Sequence, residues 1–167
     1  MMDYPNRKPI RLPEFDYHAG AYFVTICTQD RRCILSDILV GDGVLDVPRV
    51  QLSKYGEIVE QTLEEINDTY QHISIQKYVL MPNHIHLLVQ IEDNGTSRTP
   101  SPTNKTLPML VSTFKRFTNK KCGVKLWQRS YHEHVIRNEQ DYLEIWNYID
   151  TNPQKWAEDR YFPPAAQ

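Results

Sequence analysis

The sequence YVLMPNHIHLLVQI, at residues 78–91, predicts two strands joined by a turn at Met81, Pro82 and Asn83. Alternate side chains of a strand point to opposite faces of its sheet. In the second strand His84 and His86 therefore share one face, and the other face is wholly apolar, with Ile85, Leu87, Val89 and Ile91. We expect a hairpin at the centre of a sheet, with helices covering its apolar face and two imidazoles on the opposite face.

The segments before this hairpin predict a strand, a long connection and a helix. Residues 21–30, AYFVTICTQD, alternate as a strand does and are rich in β-branched and aromatic side chains. Residues 30–52 contain glycine and proline and predict a long connection with room for a short hairpin. Ser53 is a typical N-cap, and the apolar residues after it recur at helical spacing through residue 70.

The segments after the hairpin predict two more helices and one more strand. Thr106 caps a helix that Gly123 ends, and SYHEHVIR at residues 130–137 alternates as a strand. Asn138 caps a last helix, which ends near Pro153. The order β, α, β, β, α, β, α predicts an α+β fold. We expect a ferredoxin-like (split βαβ) antiparallel sheet with two helices on one face and an extra C-terminal helix.

The length of 167 residues fits a single domain over residues 1–167. Residues 92–106 are rich in turn-forming residues and predict a flexible loop, and residues 154–167 are expected to be a C-terminal tail. The sequence has no secretory h-region and no run of 18 apolar residues, which favours a cytoplasmic protein without a membrane partner. The cysteines lack CxxC spacing and indicate neither a disulfide framework nor a zinc ribbon: Cys27, Cys33 and Cys122.

Charge is distributed unevenly along the chain. The formal net charge is -2, yet residues 94–132 hold eight of the 19 bases and none of the 21 acids. A solvated helix face is the common meaning of such a run, but the length of this one favours a surface that binds the phosphates of nucleic acid. The residues that we select for this surface are Lys115, Arg116, Lys120, Lys121, Trp127 and Arg129.

The spacing of His84 and His86 allows both imidazoles to bind one metal ion. Two hydrogen-bonded histidines on a half-exposed sheet face are the alternative. A second pair, His132 and His134, has the same spacing on a predicted strand, so spacing alone leaves both pairs open. A third ligand and a nucleophile nearby would distinguish them.

The last helix carries a tyrosine outside its apolar stripe. Tyr142 belongs to that stripe, whereas Tyr148 lies roughly 120° from the centre of the stripe. Asn152 follows four residues later and hence lies one turn along the same helix face. Its amide oxygen could complete a metal site with the phenol beside it. An ordinary flanking aromatic is the other interpretation of Tyr148.

The chain resembles the HUH single-tyrosine transposases, the IS200-like family, and within them the REP-associated tyrosine transposase branch. The resemblance rests on three stretches between residues 11 and 153: RLPEFDYHAGAYFVTICTQDRR, YVLMPNHIHLLV and WQRSYHEHVIRNEQDYLEIWNYIDTNP. It implies that His84 and His86 hold a divalent cation, that Tyr148 is the nucleophile and that Asn152 is a further metal ligand. His134 falls in another strand of the family pattern, so the resemblance favours the first histidine pair.

The resemblance also implies an activity, a cofactor and a partner. The protein would be a metal-dependent endonuclease and transposase that cleaves and rejoins single-stranded or hairpin DNA through a 5'-phosphotyrosine intermediate. The ion would be Mg²⁺ or Mn²⁺, and Ni²⁺ or Zn²⁺ could occupy the site in a purified sample. The expected partner is DNA in the nucleoid, and the protein would act as a monomer or a homodimer.

Two other functions stay open at this point. A domesticated, catalytically inactive DNA-hairpin-binding protein would keep the fold and the basic surface without cutting DNA. A phosphoesterase of the histidine-triad type would need a third histidine at position 88, where this chain has Leu88.

Overall fold

The computed structural model describes residues 20–41, 47–92 and 106–164. The loop expected at residues 92–106 lies outside these ranges, apart from residues 92 and 106. Residues 11–19, where the resemblance to the family begins, also lie outside them. The described elements are β1 (Gly20–Cys27), β2 (Ser36–Leu39), β3 (Arg49–Leu52), α1 (Lys54–Thr69), β4 (Ile73–Met81), β5 (His84–Ile91), α2 (Thr106–Cys122), β6 (His132–Ile136) and α3 (Glu139–Thr151), with 3₁₀ helices at Gln29–Arg31 and Asn152–Glu158.

The main sheet has four antiparallel strands in the order β4-β5-β1-β6. This is the strand order of a ferredoxin-like sheet, so the predicted fold class is confirmed. The hairpin of β4 and β5 forms as expected, but only β5 is internal and β4 lies at an edge. Strands β2 and β3 form the short hairpin for which the long connection has room. Side-chain caps begin two helices as predicted, from Ser53 to the Gly56 amide and from Asn138 to the Asp141 amide.

Both faces of the sheet are covered. Helices α1 and α2 pack on one face, where the apolar side of β5 joins the larger core with Val24 and Ile26 of β1. Helix α3 covers the histidine face through a smaller apolar cluster. The fully buried or nearly buried members of that cluster are Val79, Met81, Leu88, Ile145 and Ile149.

A β-bulge at Gln76 changes the sheet face to which alternate side chains of strand β4 point. Before the bulge Ile75 pairs with Val89, and after it Lys77 pairs with Leu88, so the side chains exchange faces. Ile73 and Ile75 therefore face α1 and α2, whereas Val79 and Met81 face α3. Lys77 then reaches α3, where its ammonium lies 2.8 Å from the Asp150 carboxylate and 4.4 Å from the centre of the Trp146 ring.

None of the helices in the described part of the chain is long and apolar enough to cross a membrane.

Helix α1 approaches the chain before β2 closely at Gly56. A Cβ atom added there would lie 2.1 Å from the carbonyl oxygen of Leu35, which also accepts a hydrogen bond from the Ser53 amide at 2.9 Å. Because that oxygen is part of the backbone, it cannot move aside as a side chain can.

We expect Gly56→Ala to lower the free energy of unfolding by about 3 kcal/mol, measured by chemical denaturation. The exposed Gln61→Ala on the same helix should change it by less than about 0.5 kcal/mol, and equal effects would contradict this account.

Candidate functional site

The imidazoles of His84 and His86 converge on one point under α3. Both rings are almost fully buried, and their Nε2 atoms lie 3.0 Å apart. Two ligand atoms that bind an octahedral ion at about 2.1 Å and at right angles lie about 3.0 Å from each other. The pair therefore has the spacing of two neighbouring ligands of one metal ion. The sheet face that carries the two histidines is covered, whereas the alternative interpretation of the pair placed them on a half-exposed face.

A third ligand candidate comes from the segment after α3. The Asp159 carboxylate lies 3.9 Å from His84 Nε2, and ligand atoms of Asp159, His84 and His86 all lie within 4.8 Å of one another. Among the described residues this is the only group of three histidine, cysteine or acidic side chains with that spacing. Residues 156–161 of the expected C-terminal tail thus fold against the histidine pair.

Asn152 also lies at this point, as the sequence predicts. It is 2% exposed, and its amide nitrogen donates to Asp159 Oδ2 at 3.3 Å. No donor from the described part of the chain reaches the buried amide oxygen of Asn152. A buried acceptor without a partner is costly, and a cation bound between the imidazoles and Asp159 would satisfy it. The donor set of two imidazoles, a carboxylate and an amide oxygen therefore fits a divalent metal ion.

Burial keeps the two imidazoles neutral at physiological pH. It lowers the pKa of His84 to about 4, against the opposing effect of the Asp159 carboxylate. Burial also lowers the pKa of His86 well below its usual range, and the neighbouring His84 acts in the same direction. A neutral imidazole keeps a lone pair on one nitrogen, which is the form that binds a metal ion.

Tyr148 lies beside His86 at the open side of the site. The two rings are 5.3 Å apart between centroids, and the edge of Tyr148 also meets Phe23, which stacks on His86. Tyr148 is 41% exposed, whereas the helix neighbours that anchor α3, Ile145 and Ile149, are buried. Burial raises the pKa of the Tyr148 phenol, Asp159 raises it further, and Arg160 and the Asn152 amide lower it. The phenol is thus protonated at neutral pH and reachable from solvent.

The second histidine pair does not form a comparable site. The strand register places His132 and His134 on the same sheet face as the first pair, but on the edge strand β6, where both are exposed. The Nε2 atom of His134 lies 2.8 Å from the Asp141 carboxylate near the start of α3. In the described ranges neither residue belongs to a group of three potential ligands.

The residues selected for nucleic-acid binding are separated from this site by the sheet. Helix α2 packs on the opposite face, and on it Arg116 and Lys120 are exposed. The Lys115 ammonium instead donates to three backbone carbonyls at residues 128–130, and Lys121 pairs with Glu65 at 2.6 Å. Arg129 is exposed in the connection between α2 and β6.

Trp127 is placed differently from the expectation. It is 2% exposed, its ring packs on Phe114, and its Nε1 donates to the Thr118 hydroxyl at 2.7 Å. Its indole is therefore a core side chain and offers no surface on which a base could stack.

Several residues of the site carry no recognisable signal in the sequence. Trp156 and Tyr161 place their rings 6.0 and 4.6 Å from that of His84, and both follow the end of α3. Asp159 lies between them in an irregular segment with no periodic pattern. No motif or spacing in QKWAEDRYF, residues 154–162, marks this stretch as part of a site.

The chain is similar to known proteins in sequence and in structure. The family model described as "Transposase IS200 like" matches residues 17–152. A protein of Haemophilus influenzae described as uncharacterized is 30% identical over an alignment of 175 positions. The alignment covers 94% of this chain and 93% of that protein. The REP-associated tyrosine transposase of Escherichia coli is 33% identical over 85 residues, 48% of this chain and 44% of that protein.

A solved structure of a REP-associated tyrosine transposase bound to a REP hairpin has the same fold. It aligns over 93% of this chain and 74% of that chain with a TM-score of 0.58, at 20% sequence identity.

Proposed function

Because the chain belongs to the IS200-like transposase family, we propose that it cleaves and rejoins single-stranded DNA through a covalent link to Tyr148. The observation that carries this proposal is the convergence of a reachable phenol with two buried imidazoles, an amide oxygen and a carboxylate. A DNA-hairpin-binding protein without activity would need none of these groups together.

The metal ion of this proposal would be held by the Nε2 atoms of His84 and His86, the Asn152 amide oxygen and the Asp159 carboxylate. A divalent ion supplies charge that polarises a phosphate oxygen and stabilises the negative charge developing in the transition state. Mg²⁺ or Mn²⁺ is the physiological choice in our proposal, and Ni²⁺ or Zn²⁺ can replace it in a purified sample because imidazole favours them.

Tyr148 is the nucleophile in the proposed reaction. Its phenolic oxygen loses its proton and forms a bond to the phosphorus of a DNA phosphodiester. The bond from phosphorus to the 3' oxygen breaks, and that oxygen takes up a proton to become a free 3'-OH. The 5' end stays on the tyrosine, so the energy of the phosphodiester is retained and a 3'-OH can reverse the step. The exposure of Tyr148 supports this role because a polymer must reach it.

The proposed substrate is DNA that contains a hairpin. A related REP-associated tyrosine transposase was solved bound to a REP hairpin, and the same partner class fits the acid-free segment at residues 94–132. Such a substrate would place the protein at the nucleoid of the cytoplasm.

Covalent capture tests the proposed function. Labelled hairpin oligonucleotides from the DNA flanking the gene are incubated with the protein and Mn²⁺, then denatured in detergent at boiling temperature. We expect a protein–DNA adduct that is absent when EDTA replaces Mn²⁺. Salt-sensitive hairpin binding without any adduct would contradict the nuclease and favour the inactive hairpin-binding protein.

The exposed cations of α2 should contribute to DNA affinity rather than to cleavage. We expect Arg116→Gln with Lys120→Gln to weaken hairpin binding about tenfold at low salt and to reduce the slope of log K against log salt by about two. The rate of cleavage at saturating DNA should stay unchanged, because α2 lies on the far side of the sheet from Tyr148. Fluorescence anisotropy over a salt series measures the slope.

Lys121→Gln is the matched control for this experiment, since Glu65 already pairs with that ammonium. It should change the affinity less than Arg116→Gln or Lys120→Gln does as a single substitution. A hairpin affinity that does not vary with salt would contradict a phosphate-binding surface on α2.

A further inference from the structure

Asn83, in the turn between β4 and β5, has an amide group with a fixed orientation. It is 1% exposed, and its nitrogen lies 2.7 Å from the carbonyl oxygen of Tyr161 and 3.3 Å from that of Arg31. Carbonyl oxygens only accept hydrogen bonds, so the NH₂ end of Asn83 must face both of them. The oxygen end is then directed at the next residue, where it lies 2.9 Å from His84 Nδ1.

This orientation determines which nitrogen of His84 carries hydrogen. An amide oxygen cannot donate, so the contact is a hydrogen bond only if His84 Nδ1 is the donor. In the neutral ring the lone pair is then on Nε2, and Nε2 is the atom that lies 3.0 Å from His86 Nε2. The backbone of two distant segments, at Arg31 and Tyr161, thus orients Asn83, and Asn83 orients the imidazole.

His86 has a partner of a different kind. Its Nδ1 lies 2.8 Å from the hydroxyl oxygen of Thr25 on the neighbouring strand β1. A hydroxyl can either donate or accept, so Thr25 supports both neutral forms of the ring. A metal ion on Nε2 requires hydrogen on Nδ1, and the Thr25 oxygen can accept it.

We propose that Asn83 and Thr25 are positioning residues that direct the two Nε2 lone pairs to a shared divalent ion, Asn83 by locking one form of His84 and Thr25 by accepting from His86. The inference rests on the metal site of the proposed function and deepens it. Hydrogen-bond partners of this type fix the ring orientation of a ligand and typically change metal affinity by about 10- to 100-fold.

The test compares variants that keep or lose the acceptor at position 83. Asn83→Ala removes the acceptor and both donors, while Asn83→Asp removes the donors and keeps an acceptor. We expect Asn83→Ala to weaken Mn²⁺ binding by about 10- to 100-fold, measured by calorimetry, and Asn83→Asp to stay within about threefold of wild type. Since both variants lose the bonds to Arg31 and Tyr161, their difference reports the acceptor that faces His84, together with the charge of the new carboxylate, rather than those anchors.

Nitrogen NMR of the imidazoles provides a readout that does not depend on activity. In metal-free protein prepared with EDTA, we expect the His84 ring of the wild type and of Asn83→Asp to carry hydrogen only on Nδ1. In Asn83→Ala we expect a mixture of the Nδ1–H and Nε2–H forms of that ring. Thr25→Val should weaken Mn²⁺ binding and Thr25→Ser should restore it. Gln90→Ala, on the same face of β5, is the control for general perturbation and should change neither measurement.

Two results would overturn the inference: unchanged Mn²⁺ affinity in Asn83→Ala and Thr25→Val, or a single Nδ1–H form of His84 that persists in Asn83→Ala. Wild-type protein that binds no divalent ion would instead overturn the metal site of the proposed function. The NMR measurement would then still decide the role of Asn83, because it uses the metal-free protein.

Discussion

Replacing Tyr148 by phenylalanine is expected to reduce the covalent protein–DNA adduct by at least about 1,000-fold, because no other group would take over the bond to phosphorus. The ring contacts with Phe23 and His86 do not involve the hydroxyl. The fold should therefore be retained, and the affinity for DNA should stay within about threefold of wild type. This corresponds to a change in binding free energy of less than about 0.7 kcal/mol. Detergent-resistant adduct and hairpin affinity are measured on the same preparation.

Tyr142→Phe is the matched control on the same helix. Tyr142 is half-buried, packs on the Trp146 ring at 6.0 Å and belongs to the apolar cluster under α3. It precedes Tyr148 by six residues, so about 9 Å of helix separates the two residues. Adduct formation should be unchanged in this variant. An adduct that survives in Tyr148→Phe and disappears in Tyr142→Phe would show that Tyr142 is the nucleophile and that the assignment to Tyr148 is wrong.

Replacing His84 by alanine is expected to remove metal binding and DNA cleavage together. The change deletes one of two imidazole ligands from a buried site, so we expect Mn²⁺ affinity to fall by at least about 100-fold and cleavage by about 1,000-fold or more. The same holds for His86→Ala. Calorimetry with Mn²⁺ and the capture assay measure the two effects, and added Mn²⁺ at millimolar concentration should restore part of the cleavage.

His134→Ala is the control for this experiment, because it removes an imidazole from the same face of the sheet. Its ring pairs with Asp141 at the surface, away from the converging ligands. It should leave metal affinity and cleavage within about twofold, with at most a small loss of stability from the broken exposed pair. Cleavage that persists at wild-type rates in His84→Ala would remove His84 from the site.

The fold could be predicted from the sequence because each element carries a local signal. Ser53 and Asn138 mark helix starts through side chains that bond the following amides, and the alternation in β5 separates an apolar face from a histidine face. The bulge at Gln76 carries no such signal. Alternation alone would put Ile73, Ile75, Val79 and Met81 on one face of β4. The bulge instead places the first two in the larger core and the last two in the smaller one.

The candidate site could be predicted only in part. His84, His86, Tyr148 and Asn152 stand in recognisable motifs, and the fold brings them together. Asp159 belongs to an irregular segment whose position depends on tertiary contacts, so no spacing rule could place it.

The nucleic-acid-binding surface, with the cations of α2 and Trp127, could also be predicted only in part. Charge and aromaticity can be counted along a sequence, but the sequence does not reveal which cations are already bonded and which rings are buried. The ammonium groups of Lys115 and Lys121 already bond other groups of the protein, and Trp127 is buried in the core.

The position of β5 inside the sheet has a consequence for local stability. Its backbone is hydrogen-bonded to β4 and to β1, so the amides of the histidine strand should exchange with solvent only when the whole domain unfolds. Helix α3 is attached by a small cluster of side chains and by the pairs of Lys77 with Asp150 and of His134 with Asp141. It can therefore open as a separate cooperative unit at lower free energy. The two histidine ligands and the nucleophile should thus differ in hydrogen-exchange protection, although their side chains meet at one point.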